Sequence, residues 1–127
     1  FGLLGGKPYL GLSGNPAAAY VGFEMLARPA IRKMRGFAEG ARPVQQATLT
    51  HGVKKRQHRR FFDRATVLRD PETGELLVTE AKTQNSALLG TMQRANCLLR
   101  IDEGPCELKA GDVVDVVRVD LPEGTVL

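Results

Sequence analysis

The sequence predicts an α/β fragment, a single strand-loop-helix unit, followed by a small all-β barrel, and three observations predict it. Residues Gly11 to Ala19 read Gly-Leu-Ser-Gly-Asn-Pro-Ala-Ala-Ala directly after the apolar Pro8-Tyr9-Leu10, the pattern of a strand end, a tight turn and a helix start. Gly36, Gly40 and Pro43 then fall within a short span and interrupt regular structure. Beyond them helical spacing gives way to short strands separated by turn residues.

In chain order, the first strand ends at Leu10. At the corner, Gly14 can take backbone angles closed to other residues, Asn15 is a good N-cap, and Pro16 suits the first helical position, where its missing N–H costs nothing. Such a corner converges free N–H groups and the helix dipole on one spot that favours an anion. An ordinary βα connection uses the same residue types. A helix from about Pro16 to Met34 places Tyr20, Phe23, Ala27, Ala30, Ile31 and Met34 on one face, expected to be core, with Glu24, Arg28, Arg32 and Lys33 on the other. Pro29 should kink this helix and Gly36 should stop it. One strand and one helix cannot close a core, so residues 1–42 read as the end of an α/β domain and residues 43–127 as a second domain. Strands are expected at Val44–His51, Arg60–Arg69, Leu76–Lys82, Leu88–Met92, Cys97–Ile101 and Val113–Val119, with turns at Asp70-Pro71-Glu72-Thr73-Gly74 and Ala110-Gly111-Asp112. That count suits a barrel or sandwich of about five to seven strands.

The composition, 43% hydrophobic and 25% charged, is that of a globular domain and argues against disorder. No stretch has the length and apolarity of a membrane span, and the start at Phe1 is expected to lie inside a longer chain. Cys97 and Cys106 match no Cys-x-x-Cys spacing and are too few for a disulfide scaffold, which favours a reducing compartment. His51 and His58 flank a basic run with no cysteine nearby, so no metal site is expected from them. The net charge of +4 hides an asymmetry: residues 43–69 hold seven bases against Asp63, while from Asp70 onward acids predominate. A uniformly basic nucleic-acid coat is therefore not expected, whereas one local basic wall around an anionic ligand is.

Three stretches could carry chemistry. Lys54-Lys55-Arg56-Gln57-His58-Arg59-Arg60-Phe61-Phe62 sets five Lys and Arg residues ahead of two aromatics, compatible with a charged loop, a phosphate-bearing small ligand or single-stranded nucleic acid. Thr83-Gln84-Asn85-Ser86-Ala87 offers small polar groups that can donate to an oxyanion, or simply connects two strands. Arg64 could project its fork from a strand, a rigid place from which to hold an anion. No Ser-His-Asp or Cys-His arrangement is present, so a self-contained hydrolase is not expected.

Taken together these stretches resemble the molybdopterin molybdenumtransferases, the MoeA and gephyrin E-domain family. The resemblance runs through Gly6-Lys7-Pro8, Gly11-Leu12-Ser13-Gly14-Asn15-Pro16-Ala17, Phe23-Glu24, Arg28-Pro29-Ala30, Phe62-Asp63-Arg64, Gln84-Asn85-Ser86, Ala95-Asn96 and Leu108-Lys109-Ala110-Gly111-Asp112, in that order. It implies that residues 1–42 end a molybdopterin-binding α/β domain and that 43–127 form the family's C-terminal β-barrel domain. It implies insertion of molybdenum from molybdate into adenylated molybdopterin, a cytoplasmic homodimeric parent with no membrane or nucleic-acid partner, and magnesium held by acidic residues upstream of Phe1. It further implies that Arg64 and Ser86 are catalytic anion contacts, that Lys7, Ser13, Gly14, Asn15 and Pro16 bind substrate, and that no residue here ligates metal. Half the cleft would lie outside these residues, so the isolated chain is expected to be inactive. The family usually has proline where this chain has Ser13, and often glycine where it has Asn85; both changes bear on loop geometry.

Overall fold

The computed structural model describes residues 1–85, 89–125 and 127. The chain divides into two compact units, one built on Phe1–Arg42 and the other on Pro43–Asn85 with Gly90–Leu127.

The first unit opens with strands β1 (Gly2–Leu4) and β2 (Lys7–Tyr9), paired antiparallel with Gly2 opposite Tyr9 and Leu4 opposite Lys7. Gly5 and Gly6 form the two-residue turn at φ 56° and 75°, the doubly left-handed geometry that glycine pairs supply best. The sequence reading found only the second of these strands. Helix α1 (Pro16–Gly22) leads into a π-helical turn, Phe23–Ala27, and helix α2 (Arg28–Met34) follows without a break. Pro29 accounts for the π turn: it has no N–H to donate and its ring would strike the carbonyl one turn back, so the ladder widens ahead of it. Gly36 ends α2 at φ 84°, its N–H donating to Lys33 O while the Phe37 N–H donates to Arg32 O, a Schellman closure.

The expected helix core is inverted. Phe23, Ile31 and Met34 are exposed, Met34 at 73%, whereas Glu24, Arg28 and Arg32 are buried. The charged side packs on the segment after the helix: Arg42 donates twice to Glu24, at 2.8 and 3.2 Å, Arg28 donates to Gly40 O and Arg32 to Glu39 O. Arg32 also lies over the Phe37 ring, 4.1 Å from its centroid. Among the described residues of this unit a hairpin and one helix supply no second layer to cover the apolar side of the helix.

The second unit is a closed five-stranded barrel. Its strands are β3 (Val44–Leu49), β5 (Phe61–Arg69), β6 (Leu76–Glu80), β7 (Cys97–Ile101) and β9 (Val113–Arg118), in the order β3-β6-β5-β7-β9. Only β3 and β6 run parallel. Two short strands, β4 (Val53–Lys55) and β8 (Cys106–Leu108), pair beside it; the sequence reading missed both. Alternate residues face inward: Ala47 and Leu49, Ala65 and Val67, Val78, Cys97 with Leu99 and Ile101, and Val114 with Val116 form one buried cluster.

The expected turns hold their strands. Asp70 Oδ1 accepts from the Glu72 and Thr73 N–H groups and Gly74 sits at φ 75°. Those two backbone donors keep the Asp70 carboxyl below its ordinary range. Gly111, at φ 93°, donates to Leu49 O. One expected strand is a helix: of Leu88–Met92, Leu88 lies outside the described residues, and Leu89–Arg94 is helix α3, closed by Ala95 N–H donating to Thr91 O. A short apolar run fits either state by periodicity alone.

Candidate functional site

Two groups of residues were singled out, and they lie in different units. In the first unit Lys7 is exposed on β2. Pro16 occupies the first position of α1, and Asn15 holds the N-cap at φ −74°, ψ 123° with its carbonyl accepting from Ala19 N–H. Two details differ from the sequence reading. The Asn15 side chain makes no cap bond, and its Oδ1 is buried without a partner among the described residues. Gly14 has no positive φ, and a Cβ there would meet nothing within 4 Å, so the corner uses none of glycine's conformational freedom at that position. The Ser13 hydroxyl accepts from the Asn15 N–H at 3.1 Å, closing the local turn that a proline would have fixed through its ring.

In the second unit Arg64 sits near the middle of β5 and is 3% exposed. Asp63, Ala65 and Val67 share the inward face of that strand, so Arg64 takes the other. Its Nη2 donates to Asn85 O at 3.1 Å. Its Nη1 is buried and has no partner among the described residues. A buried donor left unmade costs about 1–3 kcal/mol, more for a charged group, so this atom is the one on the fork with hydrogen-bonding capacity that the described residues do not use. Ser86, the other expected anion contact on the barrel, lies outside the described residues.

The polar residues before Ser86 bond the backbone around Arg64. Gln84 Oε1 accepts from the Arg64 N–H at 2.9 Å, and its Nε2 donates to Arg64 O at 2.9 Å and to Ala81 O at 3.3 Å. Its carboxamide hydrogens are therefore committed to the backbone around Arg64. Thr83 Oγ1 accepts from the Asn85 N–H, which holds the same loop. Beside it a cleft of about 410 Å³ is lined by His51, Thr79, Glu80, Ala81, Lys82 and Gln84.

Behind Arg64 stands a carboxyl pair that the sequence reading did not single out. Burial first, then the charge of Glu80 and a hydrogen bond with it, push the Asp63 carboxyl up to about 7, against the lowering effect of Arg64 and Lys55. Burial likewise raises the Glu80 carboxyl. Two interacting carboxyls titrate as a pair, so the raised values belong to the pair rather than to either residue alone. His51 Nε2 lies 3.9 Å from Glu80 Oε2. A period-2 count from Ala65 would have placed Asp63 at the barrel interior and flagged it.

The basic run is largely committed to the protein. Lys55 is buried and donates to the Arg59 and Asp102 carbonyls; Lys54 pairs with Glu107, and Arg60 with Asp102 and Glu103. Phe61 is packed against the barrel core and is no free stacking platform. Among the described residues no group of three or more His, Cys, Asp or Glu is arranged to hold a metal ion. No helix among them is long and apolar enough to cross a membrane.

Residues 46–119, the barrel, match the family model described as the MoeA C-terminal region, domain IV. Molybdopterin molybdenumtransferase 1 of Mycobacterium tuberculosis (strain ATCC 25618 / H37Rv) is 35% identical over 121 residues, covering 91% of this chain and 28% of the relative. Molybdopterin molybdenumtransferase of Staphylococcus aureus (strain N315) is 32% identical over 115 residues, again 91% of this chain and 27% of the relative. The chain thus spans little more than a quarter of the length of these relatives. Among solved structures, the molybdopterin biosynthesis MoeA protein from Pyrococcus horikosii superposes with a TM-score of 0.69 at 25% identity, over 91% of this chain and 27% of that one. A molybdenum cofactor biosynthesis protein from Pyrococcus furiosus shares the fold, with a TM-score of 0.64 over 83% of this chain and 36% of that one.

Proposed function

The chain belongs to the MoeA family through that family's C-terminal region, and from this premise we propose that it is the C-terminal part of a molybdopterin molybdenumtransferase that inserts molybdenum from molybdate into adenylated molybdopterin. The observation that carries the reading is Arg64: a residue 3% exposed on a barrel strand, whose guanidinium Nη1 has no hydrogen-bond partner among the described residues. Molybdate and the ligand's phosphates are tetrahedral oxyanions. An arginine fork held by a rigid strand matches their oxygens and keeps them oriented while the metal moves to the dithiolene.

In this reading Arg64 and Ser86 contact the anion from the barrel. Lys7, Ser13, Gly14, Asn15 and Pro16 belong to the substrate-binding face of an α/β domain, of which the first unit is the final part. The exposed apolar side of the π-helical turn and α2, with Phe23, Leu26, Ile31 and Met34, supports that assignment, since such a face belongs against a sheet. The parent acts in the cytoplasm as a homodimer, and the magnesium it uses is held outside this chain. The 127 residues alone are inactive because they lack the rest of the cleft. A nucleic-acid role draws little support, since Lys54, Lys55 and Arg60 already have protein partners.

The test is molybdate-dependent cofactor formation from adenylated molybdopterin by the full-length parent, beside its Arg64→Ala and Ser86→Ala variants. Turnover that collapses in both variants with folding retained is the expected result. An unmutated parent that forms no cofactor would refute the reading.

A further inference from the structure

We propose that Gln84 is the positioning residue of the Arg64 site: its carboxamide is inserted into the β5–β6 ladder at Arg64 and thereby sets where the guanidinium stands. The inference rests on the reading of Arg64 as an oxyanion contact. Ala65 pairs with Glu80, so a regular antiparallel ladder would next pair Arg64 with Ala81. Half of that pair is made, the Ala81 N–H donating to Arg64 O at 2.9 Å. In place of the return bond, Gln84 Oε1 takes the Arg64 N–H and Gln84 Nε2 donates to Ala81 O, so the amide bridges the two strands as a spacer. The remaining Nε2 hydrogen goes to Arg64 O.

The neighbouring residue completes the arrangement. Asn85 O accepts from Arg64 Nη2 at 3.1 Å, so one short loop holds the main chain of Arg64 through Gln84 and its side chain through Asn85. On the same fork Nη1 is buried with no partner among the described residues. Because Gln84 has no carboxamide hydrogen left over, it acts on a bound anion only through Arg64. Leucine at this position would keep the bulk and lose all three bonds. Glutamate would keep the acceptor toward the Arg64 N–H and supply a donor only when protonated.

The experiment is a double-mutant cycle in the full-length parent, with turnover of adenylated molybdopterin as the readout. Gln84→Leu is expected to lower kcat about tenfold or more with KM nearly unchanged, since displacement of a positioned group costs rate rather than affinity. In an Arg64→Ala background the same change should have no further effect. Equal fold-losses in the two backgrounds would overturn the proposal, because Gln84 would then act on the fold at large. An Arg64→Ala single variant with full turnover would overturn the Arg64 reading itself and is recognised before Gln84 is touched. Should Gln84→Leu fail to fold, Gln84→Glu decides the matter: its turnover relative to the unmutated protein should rise as pH falls and the new carboxyl gains its donor proton. A ratio flat with pH would overturn the proposal.

Discussion

Replacing Asp63 by asparagine should make the chain more stable above neutrality and leave it nearly unchanged in mild acid. The folded-state carboxyl is raised to about 7 from an ordinary 3.8, through burial and through Glu80. A carboxyl whose folded value lies above its unfolded value favours folding when protonated. That contribution is complete below about pH 4, declines as pH rises, and is gone once pH passes the folded value. At ~1.36 kcal/mol per pH unit, the rise sets an upper bound of about 4 kcal/mol. Asp63 is only partly enclosed, so solvent screening reduces the bound to about 2 kcal/mol. The charged groups that act on it are Glu80, which opposes its ionisation, and Arg64 and Lys55, which favour it; His51 adjoins Glu80. Asparagine keeps the shape and a hydrogen bond toward Glu80 without the titrating proton. Urea denaturation of both proteins across pH 4 to 8 measures the difference, expected to grow from near zero to about 2 kcal/mol in favour of the variant. Parallel profiles, or a variant less stable than the unmutated chain at pH 8, would refute the reasoning.

Other expectations follow from the same contacts. Asn96→Leu should cost about 2 kcal/mol in denaturant, because Asn96 Oδ1 and Nδ2 bond the Val67 N–H and carbonyl at 2.7 and 2.8 Å and leucine leaves both unmade. Glu24→Gln should loosen the first unit by about 3 kcal/mol by removing the charge that Arg42 and Arg28 face; hydrogen exchange in α1 and α2 should quicken while the barrel amides stay protected. Gly111→Ala forces a side chain onto φ 93° and should lower the melting temperature by several degrees, equivalent to about 1–2 kcal/mol, although nothing lies within 4 Å of its Cβ. Arg64→Ala in the full-length parent should lower turnover by about 10²-fold, in line with loss of one oriented charge-stabilising donor.

What the sequence revealed of the fold depended on whether a residue's role was local. Alternation in Ala65 and Val67, and the turn residues Asp70, Gly74 and Gly111, act within a few positions and were legible. Strands β4 and β8 were not, because three residues carry no periodicity; their pairing is specified by Val53 and Leu108, 55 positions apart. The helix failed for a different reason. Its apolar spacing was read correctly, but Glu24 and Arg32 find partners in Arg42 and Glu39 O, beyond the helix. No pattern within the helix could announce which of its two faces this unit would cover.

The site shows the same limit more sharply. Arg64 was found because an arginine in a strand is chemically conspicuous, yet its placement depends on side chains that imitate backbone. Strand β5 runs nine residues, whereas β7 pairs only with Phe61–Ala65 and β6 only with Ala65–Arg69, so the two ladders meet at Ala65. Past each ladder's end a carboxamide continues the hydrogen bonding: Gln84 at Arg64, Asn96 at Val67. Backbone groups near a strand's middle are thereby satisfied without a neighbouring strand, as buried peptides require. The consequence is a strand free to be irregular just where it carries its charge. A regular ladder would bond Arg64 N–H to Ala81 O and bring the two strands together; the Gln84 carboxamide lies between those groups and spaces them. The polar residues Gln84 and Asn96 look like loop filler in sequence because the amide that substitutes for a peptide is recognised only by the peptide it meets.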